Sequence, residues 1–261
     1  LVHAIILAII EGLTEFLPIS STAHMKITDY LVGIPETPFR NLYEIIVQLA
    51  AILAVVLLYW KKFFDFKNIR FYVKLIIAVI PALIFGALLK KHIDSMLSNL
   101  AFIALVMIAG GVILLFTDKL FTKNKIDTDE KIDYLTSFKI GLFQVLSILF
   151  PGLSRSAATI IGGMSIGLNK RTAAEFSFFL AVPTMLAASA KSTLDVIQEG
   201  SVSFGSNEII IMAVGCFISF IVALAAVKSF IEIIQKFGFR FFGIYRIIIG
   251  SVILLLLTLH H

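Results

Sequence analysis

The chain has 261 residues, of which 59% are hydrophobic and 15% are charged, and its formal net charge is +5. Soluble domains usually carry about 25% charged and about 45–50% apolar residues, so this excess of apolar side chains indicates that lipid is the surrounding solvent. In a membrane protein a basic balance reflects lysine and arginine in cytoplasmic loops, so we expect no nucleic-acid partner.

Six apolar stretches are long enough to cross a bilayer, which requires about 20 consecutive residues. Pro81 and Pro183 lie inside two of them, and such prolines are tolerated in membrane helices because neighbouring groups satisfy the freed carbonyls. The sequence therefore predicts an all-α polytopic membrane protein, with residues 1–261 forming a single membrane domain. The predicted spans are residues 40–60, 72–90, 98–117, 172–192, 208–228 and 241–259.

Two other apolar regions, residues 2–31 and 135–168, are each interrupted by polar residues. We call residues 18–22 (Pro-Ile-Ser-Ser-Thr) the first break and residues 151–156 (Pro-Gly-Leu-Ser-Arg-Ser) the second break. Irregular backbone at membrane depth requires protein or a wet cavity beside it. We predict a re-entrant helical hairpin in each region, and a single kinked span in each is the alternative.

The two halves of the chain resemble each other, because similar short motifs occur in the same order in both. Phe-Leu-Pro at 16–18 matches Leu-Phe-Pro at 149–151, and each is followed by hydroxyl residues. Repeat one would cover residues 2–117 and repeat two residues 135–259, each with one hairpin and three spans. Three is odd, so the second repeat would be inverted, an arrangement that places a site near the midplane.

Loop charges orient this topology. If each hairpin returns to its own side, most loop lysines and arginines fall on one face, which should be cytoplasmic. Both termini then lie outside, and the two hairpins enter from opposite sides, so that their tips can meet. If both hairpins were full spans, the basic loops would divide between the two faces.

Glu11 and Glu15 are acidic residues within the apolar first region. Their i, i+4 spacing places them on one helix face. A charged side chain at bilayer depth costs about 2.5–3.5 kcal/mol on insertion scales, so a cation, a shared proton or a basic partner must offset it. No lysine or arginine lies nearby in sequence, which favours a functional role. The alternative is an interfacial helix in contact with water.

Ser20, Ser21, Thr22 and His24 follow directly. Hydroxyls and an imidazole beside two acids can hold a metal, bind phosphate, position water or supply acid–base chemistry, although a single histidine is more often structural. Two glutamates with one histidine suit an oxygen-preferring ion such as Mg²⁺ or Ca²⁺ more than zinc. Both glutamates are therefore candidate metal ligands.

The second cluster consists of Ser154, Arg155, Ser156 and Thr159. Arginine stays charged and needs an anion, and the guanidinium fork matches two phosphate oxygens. Neighbouring hydroxyls and the N–H groups that open the next helix would bind the remaining oxygens. The alternative is that Arg155 forms only a structural ion pair with one of the two glutamates.

Two glutamines, Gln48 and Gln144, lie in apolar segments. An amide at this depth needs a partner, which could be a ligand or a neighbouring helix. We predict that both line the cavity, and hydrogen bonding between helices is the alternative.

Two long motifs resemble the signatures of a known family. Glu11-Gly-Leu-Thr-Glu-Phe-Leu-Pro-Ile-Ser-Ser-Thr-Ala-His24 and Pro151-Gly-Leu-Ser-Arg-Ser-Ala-Ala-Thr159 resemble the motifs of bacterial undecaprenyl-diphosphate phosphatases, also called bacitracin-resistance proteins. One departure is Ala157, where the family more usually has glycine, which leaves every catalytic group in place. The similarity continues in residues 44–55, 174–183 and 242–250, and so covers nearly the whole chain.

The resemblance implies hydrolysis of undecaprenyl diphosphate to its monophosphate, which recycles the lipid carrier for cell-wall synthesis. It also implies a divalent cation and an active site on the outer side of the bacterial plasma membrane. The expected partners are the lipid diphosphate and membrane lipids, with a homodimer as an option for assembly. The functional residues carried over by the resemblance are Glu11, Glu15, Ser21, His24, Ser154, Arg155 and Thr159.

One mechanistic hypothesis follows. Arg155 and its neighbouring hydroxyls hold the diphosphate, Glu11 and Glu15 hold the cation or one of them acts as a base, Ser21 attacks, and His24 transfers the proton. In rival assignments, His24 or water activated by the cation attacks instead. The main alternative function is a transporter or flippase of a lipid phosphate, because inverted repeats with broken helices are a transporter architecture.

Overall fold

The computed structural model describes residues 1–35, 37–122, 124–199 and 205–259. Within these ranges the protein is helical, with one short 3₁₀ turn and no strand. The helices are α1 (Val2–Thr14), α2 (Ser21–Val32), α3 (Pro38–Leu58), α4 (Trp60–Phe63), α5 (Ile69–Leu88), α6 (Lys90–Leu97), α7 (Leu100–Leu120), α8 (Tyr134–Leu149), α9 (Arg155–Ile166), α10 (Lys170–Glu199), α11 (Ser206–Phe237) and α12 (Arg240–Leu259).

Six helices among the described residues are long and apolar enough to cross a membrane. They are α3, α5, α7, α10, α11 and α12, so the six spans predicted from the sequence are confirmed. Many of their apolar side chains face outward, such as Phe217, which is 68% exposed. A continuous apolar exterior of this kind suits lipid and not water.

The helix ends are set by capping residues and not by the edges of the apolar runs. Thr37 caps α3 by accepting a hydrogen bond from the N–H of Arg40, with Pro38 in the first turn. Asn68 and Asn99 cap α5 and α7 in the same way. Side chains that accept these unpaired N–H groups are preferred at helix starts.

The four helices that flank the two breaks are each too short to span the bilayer alone. α1, α2, α8 and α9 contain 13, 12, 16 and 12 residues. At 1.5 Å per residue each is shorter than the roughly 30 Å hydrocarbon core. α1 packs on α2 and on α11, while α8 packs on α9 and on α5, so both breaks lie inside the bundle.

Close helix packing brings α12 against α7. A Cβ atom on Gly111 would lie 2.8 Å from the carbonyl oxygen of Gly243, and one on Gly250 would lie 2.7 Å from Cγ1 of Ile108. Small residues allow membrane helices to approach at their backbones. The α7–α12 pair therefore forms a rigid wall beside both breaks.

Aromatic rings fill the interior next to the first break. Phe16 is fully buried, and its ring packs edge-on against Phe178 at 5.5 Å between centroids. Phe178 contacts Phe230 at 5.8 Å, and Phe230 contacts Phe242 at 5.3 Å. This cluster ties the chain that enters the first break to α10, α11 and α12.

Candidate active site

The two breaks meet inside the bundle. Ser156 Oγ donates a 2.7 Å hydrogen bond to the carbonyl oxygen of Leu17, and Ser154 Oγ lies 3.4 Å from the same oxygen. Nη2 of Arg155 lies 2.9 Å from Oε1 of Glu15. Residues about 140 positions apart in the chain therefore form one polar site.

Each break contains a serine in a backbone conformation that side chains rarely adopt. Ser20 has φ 72° and Ser154 has φ 76°, and they alone among the described non-glycine residues have positive φ. Each serine caps the helix that follows, accepting from the N–H of Ala23 in one case and of Ala157 in the other. Such strain costs on the order of 1–3 kcal/mol and concentrates at functional sites.

Glu15 is the polar centre of the site. Ser21 Oγ donates to Oε2 of Glu15 at 2.5 Å, and Nε2 of Gln48 lies 3.5 Å from the same oxygen. The other carboxylate oxygen accepts from Arg155. A carboxylate in contact with a hydroxyl can accept its proton when the hydroxyl oxygen attacks.

Arg155 opens α9 and is held on both sides. Nη1 donates to the carbonyl oxygen of Ser177 at 2.9 Å, and Nη2 donates to Glu15. Its Nε is buried and has no hydrogen-bond partner among the described residues. The guanidinium is therefore fixed in place and keeps an unused donor.

A cavity of about 800 Å³ lies against these groups. Its polar wall combines side chains from both breaks with Gln48 of α3. Another wall is apolar and comes from α5, α6 and α8. Lys191 and Asp195 of α10 also line it. The polar lining residues predicted from the sequence are Glu15, Ser20, Ser21, Thr22, Gln48, Ser154 and Arg155.

His24 is not among the described residues that line this cavity. Its Nδ1 lies 2.8 Å from the carbonyl oxygen of Ser20, and its Nε2 lies 2.8 Å from Oη of Tyr245. The imidazole also stacks on the ring of Tyr245. Both ring nitrogens are thus engaged: Nδ1 bonds to the residue that caps α2, and Nε2 ties α2 to α12.

The cavity lining also lacks four other predicted residues, Glu11, Ser156, Thr159 and Gln144. Ser156 bonds to Leu17 and Ser154, as described above. Thr159 donates to the carbonyl oxygen of Arg155 at 2.9 Å and lies 2.7 Å from Oγ of Ser177. Gln144 is buried and pairs with Thr184 at 3.3 Å. These side chains support the polar wall of the cavity from behind.

The residues around Glu11 fit a hard divalent cation. Glu11 is 1% exposed, contacts Glu15 and Gln48, and leaves Oε1 without a hydrogen-bond partner among the described residues. A buried carboxylate oxygen without a partner calls for a cation or a proton. No cluster of three or more His, Cys, Asp and Glu was found in the described ranges. Mg²⁺ is usually held by one or two carboxylates plus substrate phosphate, so this donor set suits it.

Sequence reasoning missed Arg246. This arginine of α12 is fully buried and hydrogen-bonds to the main chain of both breaks. The sequence did carry a signal for it, because Arg246 is a charged residue inside the apolar segment 241–259. A charged side chain at bilayer depth is costly, which is the reason that Glu11 was singled out.

Six helices long and apolar enough to cross a membrane, together with an internal cavity that has one polar wall, define a polytopic membrane protein with an enclosed polar site. Residues 4–252 match the family described as bacitracin resistance protein BacA, and the chain belongs to this family. The family predicted from the two motifs is thereby confirmed, and the chain is a multi-pass protein of the bacterial membrane.

Relatives with assigned names align along nearly their whole length. The undecaprenyl-diphosphatase of Flavobacterium johnsoniae is 49% identical over 255 residues, which is 97% of this chain and 95% of the relative. Those of Bdellovibrio bacteriovorus and Porphyromonas gingivalis are 45% and 44% identical over 262 and 273 residues. These alignments cover 99% and 98% of this chain, and 97% and 96% of the respective relatives.

Proposed function

We propose that this protein hydrolyses undecaprenyl diphosphate to undecaprenyl phosphate and inorganic phosphate, which recycles the lipid carrier for cell-wall synthesis. One observation carries the proposal. Glu15 accepts hydrogen bonds from Ser21 at 2.5 Å and from Arg155 at 2.9 Å, and all three residues line one cavity inside the helix bundle. The names of the relatives, each an undecaprenyl-diphosphatase, agree with this chemistry.

The cavity suits both ends of such a substrate. Arg155 and the hydroxyls of Ser20, Thr22 and Ser154 would bind the phosphate oxygens, since a guanidinium and hydroxyls are strong partners for phosphate. The apolar wall formed by α5, α6 and α8 would receive the start of the isoprenoid chain. The rest of the isoprenoid chain would lie in the lipid bilayer.

The contacts around Ser21 support a serine nucleophile. Its Oγ attacks the terminal phosphorus, the bond from phosphorus to the bridging oxygen breaks, and the Ser21 proton passes to Glu15. Undecaprenyl phosphate leaves with the bridging oxygen. Glu15 passes this proton to the departing bridging oxygen and is a carboxylate again. Water then attacks the phosphorus of the phosphoserine and gives a proton to Glu15. As the bond from phosphorus to Oγ breaks and phosphate leaves, Glu15 returns that proton to Oγ, which restores Ser21. Arg155 stabilises the charge on the transferring phosphoryl group in both steps.

This assignment uses Glu15 as the base in place of His24. A role for His24 in attack or proton transfer would require its Nε2 to leave Tyr245 and turn towards the cavity. Glu11 and Glu15, with the Gln48 amide oxygen, are the residues that would hold Mg²⁺ or Ca²⁺. Such an ion supplies neutralisation of phosphate charge when it is bound.

We also propose that α1–α2 and α8–α9 are re-entrant hairpins of an inverted repeat, residues 2–117 and 135–259. Ser20 and Ser154 occupy equivalent caps 134 positions apart. α1 of one half packs on α11 of the other, and α8 packs on α5, as a two-fold exchange requires. With the basic loops in the cytoplasm, both termini and the catalytic cavity face the outer side.

A flippase needs an anion site but no nucleophile. The contact between Ser21 and Glu15 is chemistry that hydrolysis uses and transport does not, so phosphatase activity is the better-supported function. A phosphatase would bind undecaprenyl diphosphate and release phosphate from it, whereas a transporter would release the lipid unchanged.

The proposed activity is tested by phosphate release from undecaprenyl diphosphate by the purified chain. We expect turnover that stops with a chelator and returns with added Mg²⁺ or Ca²⁺. Ser21→Ala should lose at least 1000-fold in kcat, while Ser147→Ala, which also removes a hydroxyl that lines the cavity, should stay within threefold. No release by the native chain, or equal losses in both variants, would contradict the proposal.

A further inference from the structure

Arg246 lies in the middle of the bundle with no exposed surface. Every hydrogen bond of its guanidinium to the described residues goes to a main-chain carbonyl oxygen. The acceptors are Pro18 and Leu153 for Nη1 at 3.0 and 2.8 Å, Gly152 and Val106 for Nη2 at 2.8 and 3.5 Å, and Met107 for Nε at 3.1 Å.

These contacts join three segments of the chain at one point. Pro18 belongs to the first break, Gly152 and Leu153 belong to the second, and Val106 and Met107 belong to α7. Carbonyls in an interrupted helix have no partner along their own segment, and inside a membrane no water replaces it. Arginine offers five donors in a fixed plane, so one side chain satisfies several of these carbonyls.

The neighbouring helix leaves room for this guanidinium. A Cβ atom on Gly110 would lie 2.5 Å from Nη2 of Arg246, and one on Gly152 would lie 2.6 Å from the carbonyl oxygen of Ile103. Glycine at these positions lets α7 approach both the guanidinium and the second break. The rigid α7–α12 wall therefore fixes where Arg246 sits.

Arg246 has no access to a ligand. It is not among the described residues that line the cavity, and all three of its nitrogen atoms already donate to carbonyls. A role in binding the phosphate directly is thereby removed.

We propose that Arg246 is a positioning residue for the hydrolysis, which sets the distance between the nucleophile and the phosphate-binding guanidinium. Its acceptor Pro18 is three residues from Ser21, and its acceptor Leu153 is two residues from Arg155. Losing the link would let the two breaks shift against each other. A misplacement of about 1 Å can cost on the order of 100-fold in rate. This inference rests on the proposed phosphatase activity.

The first test compares Arg246→Met and Arg246→Lys with Arg240→Met, which removes an exposed arginine of the same helix. For Arg246→Met we expect kcat to fall at least 100-fold with KM within threefold, because the apolar wall that receives the lipid comes from α5, α6 and α8, whereas the hydrogen bonds of Arg246 go to the two breaks and α7. Arg246→Lys should lose about tenfold in kcat, because an ammonium has three donors where the guanidinium has five. Arg240→Met should match the native chain. Helix content and Tm in detergent report folding.

A second pair of variants disturbs the same contact without removing the arginine. Gly110→Ala pushes a methyl group into Nη2 of Arg246, while Gly250→Ala crowds the same α7–α12 interface against Ile108 and Ala104 and leaves Arg246 untouched. We expect Gly110→Ala to lower kcat at least tenfold more than Gly250→Ala at a similar Tm. This pair decides the question if Arg246→Met fails to fold.

The outcomes separate the inference from the proposed function. If the native chain releases no phosphate from undecaprenyl diphosphate, the proposed function fails. If the native chain is active and Arg246→Met keeps kcat within threefold, the positioning role is wrong. Equal kcat for Gly110→Ala and Gly250→Ala, or a loss in Arg246→Met that lies in KM alone, would also overturn it.

Discussion

Replacing Arg155 by lysine keeps the positive charge of the site. It removes the planar guanidinium, whose hydrogen bonds fix the position of that charge. The native guanidinium donates 2.9 Å hydrogen bonds both to Ser177 and to Glu15 and still has Nε without a described partner. A lysine ammonium can keep the ion pair with Glu15 but lacks the geometry to span these positions and a phosphate together. Loss of one oriented donor to the transition state costs about 2.7–4 kcal/mol, which is roughly 10²–10³ in kcat.

The assay is initial-rate phosphate release from undecaprenyl diphosphate in detergent, with Arg171→Lys as the matched control. Arg171 is a well-exposed arginine of α10 that pairs with Glu175, so its replacement should leave kcat within twofold. Because the charge opposite Glu15 is retained, Arg155→Lys should fold with a Tm near that of the native chain. If folded Arg155→Lys keeps kcat within fivefold of native, the guanidinium does not stabilise the transferring phosphoryl group.

Three further predictions concern single side chains. Glu15→Gln keeps the shape of the side chain but removes the base, so kcat should fall by roughly 10²–10⁴-fold, measured by phosphate release. Tyr245→Phe removes the partner of His24 Nε2; if His24 only fixes α2 against α12, kcat should change less than tenfold while Tm falls. Asp133 caps α8 outside the spans, and its bonds from Thr136 lower the pKa of its carboxyl. A lowered folded pKa stabilises the fold above the unfolded pKa, and this is lost as pH falls through the folded pKa. Asp133→Ala should therefore lower stability by about 1 kcal/mol at pH 7 and by less in acid, as denaturant unfolding would report.

Much of the fold was predictable because it depends on the length of apolar segments. The six spans required only counting residues between charges, and Pro18 and Pro151, each followed by polar residues, marked the two breaks. The helix ends were less predictable. α11 continues to Phe237, nine residues beyond the predicted end, because Lys228 does not stop a helix that leaves the bilayer.

The candidate site was predictable in its chemistry and less so in its contacts. Glu15 and Arg155 stood out as charges in apolar sequence, and the structure brings them together. The position of His24 depends on Tyr245, 221 residues further along the chain, which no local pattern records. Arg246 was visible as a charge, but its partners are main-chain carbonyls, which leave no trace in the sequence.

The central claim is that Ser21 attacks the phosphate held by Arg155, with Glu15 taking the proton. Rapid-quench labelling tests it most directly: the native chain is mixed for milliseconds with undecaprenyl diphosphate labelled in its terminal phosphate, denatured in acid and mapped by mass spectrometry. We predict label on Ser21 and neither label nor turnover in Ser21→Ala. Label on His24, or turnover by Ser21→Ala within threefold of native, would contradict the mechanism.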